Sequence, residues 1–329
     1  MTRVFSGIQP SGDLHLGNLL GALVNWSKMQ DDYDAVYCIV DLHALTLPQE
    51  PGVLKKATIE QAQLLMAIGI DPERSILFVQ SHVPQHTELA WLMECTVSYG
   101  ELSRMTAFKD KSNRSTTSFV SAGLFTYPAL QAADILLYDT EVVPVGDDQR
   151  QHVEITRDIA ERFNSRYGET FVVPEHRIPP AGARVMDLQH PENKMSKSVG
   201  DSPGTVWVLE DLKKVEKKFK RAVTDSESEV RYDREAKPGV SNLLDILSAC
   251  TGTAPEELAK NYTQYGPLKG DTAEAVIEVL RPIQERFAEL EADPAETLRL
   301  LKVGADKAEA IAKVVLERAR TNIGMLPAS

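Results

Sequence analysis

"PSGDLHLGN" (10–18) separates the short apolar run "RVFSG" (3–7) from a stretch of helical spacing near 17–30, and its reading decides the fold. Gly12 and Gly17 let the backbone turn tightly and approach a ligand with no Cβ in the way. A helix starting near Gly17-Asn18 turns its unpaired N–H groups toward whatever sits in the turn, and His15 and Asn18 add neutral polar side chains. Such a strand–turn–helix suits a nucleotide's phosphates; a plain tight turn is the alternative for this segment alone. The dinucleotide pattern G-x-G-x-x-G is absent, and Asp41 is followed by Leu-His rather than by ribose-binding context.

Working outward, the same alternation repeats through the first half of the chain. "AVYCIV" (35–40) precedes a helical stretch near 52–68, "SILFVQ" (75–80) one near 85–97, and "EVVPVG" (141–146) one near 148–167. Strands alternating with helices predict a parallel sheet covered on both faces. Each strand runs into a polar cluster: "SGIQPSGDLHLGN", "DLHAL", "QSHVPQH" and "GDDQRQH". In open parallel sheets ligands bind beyond the carboxyl ends of the strands, so these clusters should converge on a site.

Beyond residue 205 the pattern is helical, at 209–223, 241–250, 271–290 and 305–320. Asp271 and Ser241 are expected as N-caps, Gly304 and Gly324 as helix stops, and 224–240 as a polar connector. The fold class is therefore α/β: a Rossmann-like, doubly wound parallel sheet followed by a smaller helical domain.

Composition sets the limits. The 329 residues suit two domains, and the hydrophobic fraction of 43% is that of an ordinary globular chain. A net charge of −12 excludes bulk electrostatic binding of nucleic acid, so any RNA contact uses local patches. Cys38, Cys95 and Cys250 are far apart and form no C-x-x-C pair, which favours a reducing compartment and argues against a zinc site. With no signal-peptide pattern and no run of about 18 apolar residues, a cytoplasmic location is expected.

Two further stretches carry chemistry. "NKMSKSVGD" (193–201) brings Lys194 and Lys197 around Met195-Ser196, with Ser198, Gly200 and Pro203 behind, as in a polar loop able to move. In "TYPALQAADILLY" (126–138), Tyr127, Gln131 and Asp134 share one face of an otherwise apolar helix. Polar groups in such surroundings need partners, supplied either by a core network or by a ligand.

"HLGN" (15–18) resembles the HIGH signature of class I aminoacyl-tRNA synthetases, and "KMSKS" (194–198) matches their second signature. "FSGIQPSG", "CIVDLHAL", "GELSRMT", "AADILLY", "VPVGDDQRQH" and "AVTDS…RYD…KPGVSNLLDI" resemble the bacterial tryptophanyl-tRNA synthetases from Phe5 to about Leu290. The resemblance implies ATP-dependent activation of L-tryptophan and its transfer to tRNA(Trp) by a homodimer, with Mg²⁺ arriving on ATP rather than in a protein cage. It implies a catalytic domain over 1–204, with a dimer-forming insertion and the KMSKS loop. An anticodon-binding helical domain follows over 205–290, with "KKVEKKFKR" (213–221) as local positive charge, and C-terminal helices over 291–329 pack back on the body.

By the same resemblance Gln9, Lys194, Ser196 and Lys197 are catalytic. ATP is held by Gln9, Pro10, Ser11, Gly17 and Asn18, by Gly146, Asp147 and Asp148, by Val185, and by Lys194, Met195, Ser196, Lys197 and Ser198. Tryptophan is held by Asp134, which takes the indole N–H, with walls of Phe5, Val143 and Val145, and with Tyr127, Gln131, Gln149 and His43. Lys109 and Lys111 are placed near the phosphates or on a surface loop. No protein-held metal is expected. Gln131 and His15 depart from the family, which commonly has Met and Thr there, and tyrosyl-tRNA synthetases share the Gln-x-x-Asp pair. A tyrosyl enzyme and a catalytically silent RNA-binding relative therefore stand as alternatives.

Overall fold

The computed structural model describes residues 1–10, 12–105, 120–146, 149–177, 184–196, 202–227 and 229–327. Among these residues, β1 (Arg3–Ile8), β2 (Asp34–Ile39), β3 (Ile76–Val79), β4 (Val142–Pro144) and β5 (Glu175–Arg177) form one sheet of order β3-β2-β1-β4-β5. All four pairings are parallel.

Successive residues of each strand enter opposite layers, as the period of two requires. Val4, Tyr37, Leu77 and Val142 pack in one layer with Leu16, Leu19 and Leu23 of the first helix and Leu64 and Leu65 of the Val53–Ile68 helix. Phe5, Val36, Phe78 and Val143 pack in the other, against the Gln85–Glu94, Ala122–Leu136 and Arg150–Tyr167 helices. Burial on both faces explains why the strands read as apolar runs.

The helix after β1 is continuous but not uniform: Leu16–Asn18 and Val24–Met29 are α-helical, and Leu19–Leu23 between them is a π-turn. Ser121 caps the Ala122–Leu136 helix by accepting from the Leu124 N–H.

Four sequence expectations are corrected or extended. β5 is a fifth strand, too short and polar to show a pattern, and pairing with Val142–Pro144 alone makes it one. Ser241 lies inside the Pro238–Thr251 helix, which starts on the fixed φ of Pro238, and its hydroxyl accepts from the Asp233 N–H. Asp271 lies inside the Tyr265–Ala292 helix, where it accepts from the Tyr262 hydroxyl.

Gly304, expected as a stop, sits within the 30-residue Pro294–Ile323 helix, whereas Gly324 does end it with a φ of 85°. The reason is a close approach: a Cβ on Gly304 would lie 1.8 Å from the Leu77 carbonyl oxygen of β3. At this crossing the helix changes layers, with Leu301 in one core and Ala305, Ala308 and Ala312 in the other.

Gly304→Ala should therefore push the helix off β3 and destabilise the fold by about 1–3 kcal/mol, as overpacking does. Gly270→Ala, at a helical position with open space around it, should instead stabilise by about 0.5–1 kcal/mol. Urea unfolding midpoints compared at unchanged slope check both.

Candidate active site

β1 lies where strand order reverses, with β2 on one side and β4 on the other. Connections leave such a point toward opposite faces and open a crevice at the carboxyl edge. A cavity of about 500 Å³ occupies it. Phe5 of β1, Val143 and Val145 of the β4 end, Val40 after β2, and Ile135 give it apolar walls. His43, Tyr127, Gln131, Asp134 and Gln149 bring polar atoms to it, and Gln9 and Gly146 complete the contribution of the two strand ends. Ten of the residues singled out in the sequence thus meet around one space.

Asp134 is 1% exposed. Burial alone would push its carboxyl up, but His43 and His86 outweigh that and hold it well below the usual carboxylate range. His43 Nε2 lies 2.7 Å from Oδ2, while Gln80 Nε2 and His86 Nδ1 each lie 2.6 Å from Oδ1. Asp134 is therefore partnered internally, and all three residues of the polar helix face border the cavity. Tyr127 places its hydroxyl 2.7 Å from His152 Nε2, and burial pushes the phenol up to about 12, so it stays protonated at neutral pH.

The glycine-bearing turn is closed by its own side chains. His15 Nδ1 accepts from the Asn18 N–H at 3.3 Å and Asn18 Oδ1 accepts from the His15 N–H at 3.2 Å, a reciprocal cap on the helix start. His15 is buried, with its ring edge-on to Trp207. These contacts use His15 Nδ1 and Asn18 Oδ1 as acceptors for backbone N–H groups.

Gly17 passes close to Val185: a Cβ there would lie 3.5 Å from the valine Cβ. Neither residue borders the cavity, nor do Pro10, Asn18, Lys194, Met195 and Ser196. Val185 ties the second signature to this turn, because its carbonyl accepts from the Met195 N–H at 3.1 Å.

The Met195 side chain is buried in the core, so it anchors the segment, while Lys194 stands exposed beside it. Asp187, 2% exposed, ties both feet of that segment together. It accepts from the Gln189 and His190 N–H groups on one side and from the Ser202 hydroxyl at 2.8 Å on the other. Ser11, Lys109, Lys111, Asp147, Asp148, Lys197 and Ser198 lie outside the described residues. Among the described residues no group of His, Cys, Asp or Glu is arranged to hold a metal ion, and no helix is long and apolar enough to cross a membrane.

Sequence reasoning missed Gln80, His86, Tyr138, His152 and Asp187. Gln80 and His86 both fall in or beside "QSHVPQH", which was legible as a polar cluster although its target was not.

Comparison with known proteins now narrows the chemistry. The family model described as "tRNA synthetases class I (W and Y)" matches residues 1–281. The tryptophan--tRNA ligase of Caldanaerobacter subterraneus subsp. tengcongensis is 54% identical over 328 residues, covering 99% of each chain. That of Mycobacterium leprae is 51% identical, covering 99% of this chain and 97% of its own. The crystal structure of tryptophanyl-tRNA synthetase from Mycoplasma pneumoniae superimposes with a TM-score of 0.88 at 33% identity, covering 99% of this chain and 98% of that one. The Campylobacter jejuni enzyme, complexed with ADP and tryptophan, gives 0.85 at 35% identity, covering 98% and 100%. Sheet order, the placing of both signatures and these likenesses agree: the chain belongs to the class I tRNA synthetases of the tryptophan and tyrosine family.

Proposed function

We propose that the protein joins L-tryptophan to ATP and passes it to tRNA(Trp). The observation that carries this reading is Asp134, a buried carboxylate lining a cavity that also has the apolar walls Phe5, Val143 and Val145, as a donor-bearing aromatic ring requires. Full-length likeness to tryptophan--tRNA ligases supports it. Phe5, Val143 and Val145 would sandwich the ring, Asp134 would accept its N–H, and Tyr127, Gln131 and Gln149 would face the α-amino group.

No general base is needed, because the amino acid's carboxylate is already ionised. It attacks the α-phosphorus of ATP; the bond to the β-phosphate oxygen breaks, and pyrophosphate leaves with the electron pair. Positioning and stabilisation of phosphate charge carry the rate. Gln9, Gly17, Asn18 and Val185 would hold the nucleotide, and Lys194 with Lys197 would neutralise the departing pyrophosphate. Mg²⁺ would arrive on the triphosphate.

Three finer assignments follow. The helical region 205–290 would meet tRNA through the Leu212–Lys220 helix, which buries Val215 and Phe219 and exposes Lys213, Lys214 and Lys217. A homodimer would form through the face where Leu45, Leu47, Trp91 and Tyr99 are exposed. A groove of about 360 Å³ on that face shares Tyr127 with the amino-acid cavity, so dimer contact and substrate site adjoin. Free thiols at Cys38, Cys95 and Cys250 suit a cytoplasmic enzyme.

Pyrophosphate exchange should proceed with tryptophan and far less with tyrosine. Asp134→Ala should raise KM for tryptophan by roughly 10²-fold, whereas Lys194→Ala should lower kcat by about 10²–10³-fold with little effect on tryptophan binding. Exchange with tyrosine alone would falsify the substrate assignment, and exchange with no amino acid would mark a silent RNA-binding relative.

Lys213→Glu with Lys217→Glu should raise KM for tRNA and leave exchange intact; equal aminoacylation kinetics would refute the RNA contact. Trp91→Glu should shift the sedimenting species from dimer to monomer, and a wild-type monomer at micromolar concentration would rule out the dimer.

A further inference from the structure

The two oxygens of Asp134 have different partners. Oδ2 is shared with His43, which lines the cavity. Oδ1 is occupied from behind by Gln80 and His86, neither of which lines the cavity, and His86 Nε2 in turn lies 2.7 Å from the Tyr138 hydroxyl. Gln80, His86 and Tyr138 are all fully buried.

An ionised carboxylate only accepts, so Gln80 gives its amide N–H, His43 its Nε2–H and His86 its Nδ1–H. On the far side of the same ring His86 Nε2 meets the Tyr138 hydroxyl, which fixes how the imidazole is turned toward Asp134. Every donor that meets Asp134 is thus given to its carboxylate.

We infer that Tyr138, His86 and Gln80 are positioning residues that make Asp134 an acceptor-only contact, which admits a ring N–H and rejects a phenol. An indole N–H donates and brings no lone pair in the ring plane. A phenol can donate to Oδ2 as well, but its oxygen also brings lone pairs, and the three donors around Asp134 are already given to its carboxylate. Leaving a buried acceptor unpaired weakens binding by roughly 10- to 100-fold. The inference rests on the reading that Asp134 meets the substrate's ring. Gln131, one turn before Asp134, is the remaining amide on this wall.

The test is pyrophosphate exchange with tryptophan and tyrosine in parallel, for wild type, Tyr138→Phe, His86→Leu, His86→Asn and Gln131→Leu. Tyr138→Phe and His86→Leu should raise KM for tryptophan and lower the tryptophan-to-tyrosine ratio of kcat/KM about tenfold or more. In both, kcat and KM for ATP should stay within about twofold. His86→Asn, whose amide can stand in for Nδ1–H, should restore most of the ratio.

Folded variants that keep the wild-type ratio overturn the inference, as does a uniform loss across kcat and both KM values. A ratio that moves with Gln131→Leu but not with His86→Leu overturns it too. If His86→Leu does not fold, Tyr138→Phe decides, since it retains the ring stacked on Phe5 and edge-on to Phe78. A wild type active on tyrosine alone overturns the substrate reading as well; a wild type selective for tryptophan with unchanged variants overturns this inference alone.

Discussion

Asp134 keeps its charge in the interior because three donors converge on it, and bringing them together requires most of the α/β layer. His43 comes from the turn after β2, Gln80 from the end of β3, and His86 from the helix that follows. Asp134 itself rides on the Ala122–Leu136 helix, which packs tightly against the Gln85–Glu94 helix. A buried carboxylate without these partners would be strongly unfavourable and would take up a proton. The carboxyl ends of successive parallel strands are the natural place to assemble such a cluster, since each delivers one loop to the same edge. Fold and site are two descriptions of that convergence.

What the sequence revealed followed from periodicity. Alternating residues of the strands and the shared face of Tyr127, Gln131 and Asp134 are local patterns, and the structure places them as the spacing implied. What it hid were pairings across long separations. His86 and Asp134 are 48 residues apart, and nothing in either segment names the other. Met195 was read as part of a polar loop, yet its side chain is in the core, because the neighbouring backbone pairs with Val185 and Met186. Gly304 was read as a helix stop because composition cannot show that a carbonyl waits where its Cβ would be.

The two signatures divide the work in a way that the contacts make physical. The first is closed on itself: His15 and Asn18 join across the helix start, and a bridge links His15 to Trp207. The second hangs from a buried carboxylate, Asp187, whose partners lie at both feet of the segment. Gly204 makes that clamp possible, since a Cβ there would overlap the Asp187 side chain.

The Pro294–Ile323 helix has a consequence for biosynthesis. β3 is an outer strand of the sheet, and the helix that covers it is made more than two hundred residues later. At ribosomal speed that interval is roughly 10–40 s, during which a nascent chain holds an unprotected border open to foreign strands. The order in which the chain emerges thus leaves that border uncovered until the C-terminal helix is made.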